Sequence, residues 1–142
     1  MKQFLSLFAF IFPLLSFGQY DGNTTPDYPE LIKIYQKLSA EHREIELYEM
    51  GDSDYGLPIY VCILNGAGDS LKTFSKAKQG TTILINNAIH PGEPDGVNAC
   101  LIWIDNWIKE GKKTGDLPLI AIIPAYNVGG MMNRSSSSRA NQ

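Results

Sequence analysis

The stretch that decides the fold of this 142-residue chain is Ile83-Leu84-Ile85-Asn86-Asn87-Ala88-Ile89-His90-Pro91-Gly92-Glu93-Pro94-Asp95-Gly96. It begins as an apolar run typical of a buried strand and continues into a Pro- and Gly-rich turn that opens a helix. His90 and Glu93 lie in that turn, three positions apart. Because imidazole nitrogen and carboxylate oxygen are common ligands of catalytic zinc, the stretch predicts half of a metal site.

The residues after this turn complete a crossover between two parallel strands. Residues 94–113 have a helical apolar stripe, and residues 117–124 form a second apolar run. A strand, a helix and a second strand in this order form a right-handed parallel unit in nearly all cases. The continuous apolar run of residues 81–87 also predicts a strand covered on both faces. The helix residues expected to be buried are Val97, Cys100, Leu101, Trp103, Ile104, Trp107 and Ile108.

The preceding residues predict one helix and an antiparallel hairpin. A helix is expected from Pro29 onward, because apolar residues recur there with a 3.6-residue period. Residues 44–50 alternate apolar and acidic side chains, and residues 57–65 are a second β-rich run after a turn. Residues 66–80 are polar and lysine-rich, so a surface connection with one helical turn is expected there.

Polar residues from both parallel strands are expected at one edge of the sheet. In open α/β sheets, ligands bind beyond the carboxyl ends of the strands. His90 and Glu93 follow the first strand, and Tyr126 and Asn127 follow the second. The sequence therefore predicts a shared crevice at this edge.

Other residues near the crevice have both a functional and a structural interpretation. Arg134 and Arg139 are candidate substrate-binding residues, because arginine binds a carboxylate through two parallel hydrogen bonds. Exposed loop charges are the alternative for both. His90 and Glu93 could also simply cap backbone groups of the turn and the helix. His42 lies in a charged run and is interpreted as a surface residue.

The first 18 residues have the pattern of a secretory signal peptide. Lys2 is followed by an apolar run over residues 4–15 and by small residues before Gln19. The run is shorter than the roughly 20 residues that span a bilayer, although an N-terminal anchor is the alternative. We therefore expect residues 19–142 to be exported, either periplasmic or secreted, without membrane contact after signal removal.

Charge and cysteine content limit the remaining possibilities. The formal net charge is −3 and no basic block is present, so nucleic acid is not an expected partner. Cys62 and Cys100 both lie in segments predicted to be buried. Unpaired buried thiols are expected, and a disulfide is the alternative if their Cα atoms approach within about 7 Å.

Several motifs together resemble the zinc carboxypeptidases of the carboxypeptidase A type. They are Asn87-Ala88-Ile89-His90-Pro91-Gly92-Glu93, Pro124-Ala125-Tyr126-Asn127-Val128-Gly129-Gly130, residues 50–59, and Asn133-Arg134 with residues 139–142. The resemblance covers about residues 30–142. It implies an α/β fold with a mixed, mostly parallel sheet flanked by helices in a three-layer sandwich. It also implies one zinc ion, with His90 and Glu93 as its first two ligands.

The resemblance implies a hydrolase that removes C-terminal residues from peptides with a free C-terminus. Zinc would polarise the scissile carbonyl and a carboxylate would act as general base. Gly92 stands where many members have an arginine, and Asn127-Val128-Gly129-Gly130 replaces their Asn-Pro-Asp-Gly loop. The family's third zinc ligand and its catalytic glutamate are absent from this sequence, so no catalytic residue is assigned within it.

These departures predict an N-terminal, truncated part of a carboxypeptidase catalytic domain. We expect the third zinc ligand downstream of residue 142, weak zinc binding, no peptide hydrolysis by the chain alone, and an uncovered edge on the second parallel strand. Two other functions are considered. One is a zinc amidase or deacylase acting on peptidoglycan stem peptides or acyl-amino acids, and the other is a non-catalytic exported binding module.

Overall fold

The computed structural model describes residues 24–111 and 118–135. Its elements are α1 (Tyr28–Glu41), β1 (Ile45–Asp52), β2 (Pro58–Leu64), α2 (Ser70–Gln79), β3 (Thr82–Asn86), α3 (Asp95–Lys109), β4 (Leu119–Ile123) and α4 (Val128–Met132). The predicted signal peptide, residues 1–18, lies outside the described residues. Within those residues, no helix combines the length and the apolar character needed to cross a bilayer.

Helix α1 begins with a reciprocal cap. The Asp27 carboxylate accepts a hydrogen bond from the Glu30 N–H at 2.9 Å, and the Glu30 carboxylate accepts one from the Asp27 N–H at 3.3 Å. Such a cap satisfies two backbone donors that a helix start otherwise leaves unpaired. The helix buries Tyr28, Leu31, Ile32 and Tyr35. The predicted helix is confirmed.

The four strands form one mixed sheet in the order β1-β2-β4-β3. β1 pairs antiparallel with β2, β2 pairs antiparallel with β4, and β3 pairs parallel with β4. The predicted hairpin and the predicted β3–α3–β4 crossover are therefore confirmed. The expectation of a free edge on β4 is wrong, because β2 covers that side. Among the described residues, the unpaired edge at this end of the sheet belongs to β3.

Helices pack on both faces of the sheet. On one face, α1, α3 and α4 enclose the main core. Its buried members include Tyr35, Cys62, Leu64, Cys100, Leu101, Ile104, Ile122 and Met131. The opposite face carries a smaller cluster of Ile63, Leu119 and Ala121, against which Ala77 of α2 packs. This arrangement confirms the predicted mixed sheet between helix layers. The sheet was expected to be mostly parallel, but two of the three pairings among the described strands are antiparallel.

The prediction for residues 66–80 is wrong, because α2 occupies ten of them, from Ser70 to Gln79. The Asp69 carboxylate caps this helix by accepting a hydrogen bond from the Lys72 N–H at 3.1 Å. Thr73 is the one buried residue of α2, and its hydroxyl donates to the Glu46 carboxylate at 2.7 Å. Only three of the ten residues of α2 are apolar, namely Leu71, Phe74 and Ala77, so the polar composition of the segment favoured a surface connection.

Strand β3 and the outer side of α3 are more exposed than predicted. Ile83 is 45% exposed and Leu84 is 64% exposed, while Ile85 packs against the main core. The prediction that both faces of β3 are covered is therefore wrong for the described residues. Trp107 is buried as expected, but Trp103 is 37% exposed. Trp103 lies one position before the buried Ile104, which turns it about 100° away from the core-facing side.

The two cysteines are buried and unpaired, as predicted. Burial, with a smaller contribution from the neighbouring Cys100, raises the pKa of the Cys62 thiol to about 12. Burial also raises the pKa of Cys100, while a hydrogen bond from Asn87 acts in the opposite direction. Both thiols therefore stay protonated and unreactive in the folded protein near neutral pH.

This burial predicts a loss of stability in alkali. An exposed thiol ionises near pH 9, whereas folded Cys62 ionises near pH 12, so the unfolded state releases its proton first. The contribution of Cys62 to stability is therefore complete below pH 9 and is lost as the pH rises towards 12. Urea unfolding across this range should show a declining midpoint, with a shallower decline in Cys62→Ala. Equal slopes for the two proteins would contradict the burial of this thiol.

Candidate metal-binding site

The loops that follow β3 and β4 lie side by side. The Asn87 N–H donates to the Ile123 carbonyl at 3.1 Å, and the Tyr126 N–H donates to the Asn87 carbonyl at 2.9 Å. The Asn127 N–H donates to the Ala88 carbonyl at 3.2 Å. These bonds extend the parallel β3–β4 pairing beyond the strand ends. The prediction that both loops leave the same edge of the sheet is confirmed.

The turn after β3 brings the His90 and Glu93 side chains together. His90 Nδ1 lies 3.0 Å from Glu93 Oε2. The Glu93 N–H also donates to the His90 carbonyl at 3.0 Å, which fixes the turn. The His90 side chain is 36% exposed and the Glu93 side chain is 47% exposed. The two side chains therefore form a solvent-accessible pair of potential metal ligands at the β3–α3 junction.

The β4–α4 loop packs against this turn. Pro91, directly after His90, is fully buried, and a Cβ atom added to Gly130 would overlap the Pro91 ring. The same atom would lie 2.8 Å from the Asn127 side chain. Asn127 Oδ1 accepts a hydrogen bond from the Gly130 N–H at 2.9 Å and begins α4. Only glycine at position 130 permits this close packing of the two loops.

Asn87 links the end of β3 to α3. Its side chain is buried, and its Nδ2 donates to Cys100 Sγ at 3.2 Å. A Cβ atom added to Gly96, in the first turn of α3, would lie 2.8 Å from Asn87 Oδ1. The Asn87 backbone thus bonds to the β4–α4 loop, and its side-chain amide bonds to α3 through the Cys100 thiol.

The His90 and Glu93 side chains fit part of a zinc ligand set. Ligand atoms bonded at about 2.0–2.1 Å in tetrahedral geometry lie roughly 3.3 Å apart, so the 3.0 Å separation of Nδ1 and Oε2 needs only slight opening. Catalytic zinc sites normally have three protein ligands. Within residues 24–111 and 118–135, no group of three His, Cys, Asp or Glu side chains could hold a metal ion. His90 and Glu93 thus match two of the three ligands that such a site needs.

The remaining candidates lie elsewhere. Arg134 Nη2 donates to the Thr25 carbonyl at 2.9 Å, and its Nη1 donates to the Pro26 carbonyl at 3.4 Å. Arg134 therefore ties the residues before α1 to the end of α4, and its substrate-binding role stays a prediction. Arg139 lies outside the described residues, so its role also stays a prediction. His42 is the C-cap residue of α1.

The predicted crevice at this edge differs in its composition, because a crevice of about 380 Å³ includes Tyr126 and Asn127 but is completed by the β1–β2 loop. It lies between the β1–β2 loop and the β4–α4 loop, and neither His90 nor Glu93 is among its lining residues. The lining residues are Asp52, Ser53, Asp54, Tyr55, Ile59, Tyr126, Asn127, Val128 and Gly129. Residues 51–56 carried a turn signal, but nothing local indicated that this turn lies against the β4–α4 loop.

Comparison with known proteins identifies the fold. No protein-family sequence model and no curated protein sequence matches the chain. Bovine thrombin-activatable fibrinolysis inhibitor, in complex with tick carboxypeptidase inhibitor, matches with a TM-score of 0.67 and 17% identity, over 85% of this chain and 38% of that chain. Another structure of thrombin-activatable fibrinolysis inhibitor has the same TM-score and identity, over 85% of this chain and 31% of that chain.

A Burkholderia mallei protein described as a carboxypeptidase also matches, with a TM-score of 0.51 and 18% identity, over 78% of this chain and 29% of that chain. These neighbours have the metallocarboxypeptidase fold, and the present chain shares it, which confirms the predicted fold class. Because the identities are low, the likeness establishes the fold alone. The chain spans roughly a third of the length of these structures.

Proposed function

We propose that this chain supplies two zinc ligands, His90 and Glu93, to an exported metallocarboxypeptidase that removes C-terminal residues from peptides. The observation that supports this proposal most directly is the 3.0 Å approach of the two side chains at the β3–α3 junction. The carboxypeptidase fold, shared over 85% of the chain, supports the reaction class. A zinc ion at this position supplies polarisation of the scissile carbonyl and a bound water of lowered pKa.

The surrounding residues fix the turn that carries His90 and Glu93. Pro91 packs on Gly130, and Asn87 binds both the β4–α4 loop and Cys100, so the turn is fixed on two sides. A metal-binding pair benefits when its own rotamers and backbone are set by such packing. Zinc requires a neutral imidazole and an ionised carboxylate, and it must displace the contact between His90 and Glu93. Binding should therefore weaken in acid.

A zinc titration of the 142-residue chain tests the proposal. Two protein ligands should give measurable but weak binding, because catalytic sites normally use three. His90→Ala and Glu93→Gln should each weaken binding by at least about tenfold, since loss of outer-shell partners alone costs about 10–100-fold. His42→Ala is the matched control, because it removes the other histidine, and it should leave the affinity unchanged.

Equal zinc affinities for the parent and His90→Ala would refute the proposed ligand role. That result would favour a binding module that has the fold without the metal site. A peptidase assay with a C-terminally unblocked peptide complements the titration. The parent chain should show no turnover, because only two ligands are proposed within it. Zinc-dependent release of C-terminal residues would show that the chain supplies more of the catalytic site than the two ligands.

A further inference from the structure

The 380 Å³ crevice has the composition of a binding site for a cation. Its volume falls within the range of about 300–1,000 Å³ that is usual for small-ligand sites. Two of its lining residues are acidic, Asp52 and Asp54, and none is a lysine or arginine. Both aspartates are exposed, and neither carboxylate makes a hydrogen bond or an ion pair with another described residue. Two negative charges are thus available to a ligand.

Aromatic rings border the same crevice. Tyr55 is 48% exposed and comes from the β1–β2 loop, while Tyr126 is 51% exposed and comes from the β4–α4 loop. Ile59 and the buried Val128 add apolar lining. Aromatic faces attract a cation through the ring quadrupole, and apolar walls suit the methylene stem of a long basic side chain.

We propose that the crevice binds the side chain of an arginine residue within a peptide. Guanidinium is favoured over ammonium because its planar group can stack on a tyrosine ring while it forms two parallel hydrogen bonds to a carboxylate. Tyr55 or Tyr126 provides the ring, and Asp52 or Asp54 provides the carboxylate. The methylene stem lies along Ile59 and Val128.

This site is separate from the proposed metal ligands. The β4–α4 loop borders both, since Tyr126 and Asn127 line the crevice and bond to the loop that carries His90. Arginine binding requires no zinc. It can therefore be measured in the presence of a chelator, and the outcome does not depend on whether His90 binds a metal ion.

The test is an NMR titration of the ¹⁵N-labelled 142-residue chain in EDTA. The probe is a doubly blocked Gly-Arg-Gly peptide, and the comparison is the same peptide with neutral citrulline. We expect saturable shifts at the amides of residues 52–55 and 126–129, with citrulline binding at least tenfold weaker. Free arginine amide should bind more weakly than the peptide if the natural ligand is a peptide. Equal or tighter binding of the free amide would contradict the peptide assignment.

Substitutions in the crevice test whether the aspartate carboxylates and the Tyr126 ring bind the guanidinium group. Asp54→Asn and Asp52→Asn should each weaken binding at least threefold, and Tyr126→Leu should do the same without any change in charge. Asp105→Asn is the charge-matched control, because Asp105 lies on α3 and pairs with Lys109 instead of lining the crevice. Asp105→Asn should bind as the parent does. Equal binding of the arginine and citrulline peptides, or equal losses in Asp54→Asn and Asp105→Asn, would overturn the proposal.

Discussion

Replacing Ile104 with alanine should lower the free energy of unfolding by about 4 kcal/mol, because buried isoleucine-to-alanine changes cost about 2–5 kcal/mol. Ile104 is 0% exposed and lies where α3 meets the sheet. The change removes apolar contacts and leaves a cavity that a close-packed core fills only in part. Urea unfolding followed by circular dichroism measures the loss.

The same helix provides the control. Ile102 is of the same residue type, lies two positions earlier in α3 and is 42% exposed. Ile102→Ala should change the free energy of unfolding by less than about 0.5 kcal/mol, as is usual for surface substitutions. Similar losses for the two variants would mean that α3 presents a different side to the sheet. In that case the position of the turn that carries His90 would also be wrong.

Gly130→Ala should lower the free energy of unfolding by about 3 kcal/mol, the upper end of the usual range for overpacking. The added Cβ atom overlaps the ring of Pro91, which is fully buried and too rigid to move aside. The variant should also weaken zinc binding, because relief of the overlap displaces the turn between His90 and Glu93. Chemical denaturation and the zinc titration measure the two effects.

Gly80→Ala is the matched control for this substitution. A Cβ atom at Gly80 would lie 3.4 Å from the Lys76 carbonyl oxygen, an ordinary contact distance. Gly80 also has a negative φ of −127°, which alanine adopts without strain. Stability should therefore change by less than about 1 kcal/mol. A fully stable Gly130→Ala variant with parental zinc affinity would show that the two loops do not pack as described.

The sequence predicted those parts of the fold that rest on local signals. The apolar run before Asn86 and the Pro- and Gly-rich turn after it define the strand-to-helix junction. The alternation in residues 44–50 defines the first strand of the hairpin. Helix α2 was missed because only three of its ten residues are apolar, although the preceding Asp69 is a typical N-cap residue. The prediction that both faces of β3 are covered was wrong, because an apolar run shows only that a strand is hydrophobic. Whether the strand is exposed depends on which other elements pack against it.

In the candidate site, too, local features were predicted and features that depend on packing were not. Spacing within one turn was enough to predict that His90 and Glu93 converge. The crevice depends on residues 52–55 and 126–129, which are far apart in the chain and meet through β-sheet pairing. The Asn87–Cys100 hydrogen bond likewise depends on how α3 packs. Neither arrangement has a signal in the local sequence.

The most direct test of the central claim is a crystal structure of the zinc-soaked chain with anomalous diffraction recorded at the zinc absorption edge. The expected result is an anomalous peak about 2.0–2.2 Å from both a His90 ring nitrogen and a Glu93 carboxylate oxygen. A peak at His42 or at the Asp52–Asp54 crevice, with the His90 and Glu93 side chains still in contact with each other and no ion beside them, would contradict the claim.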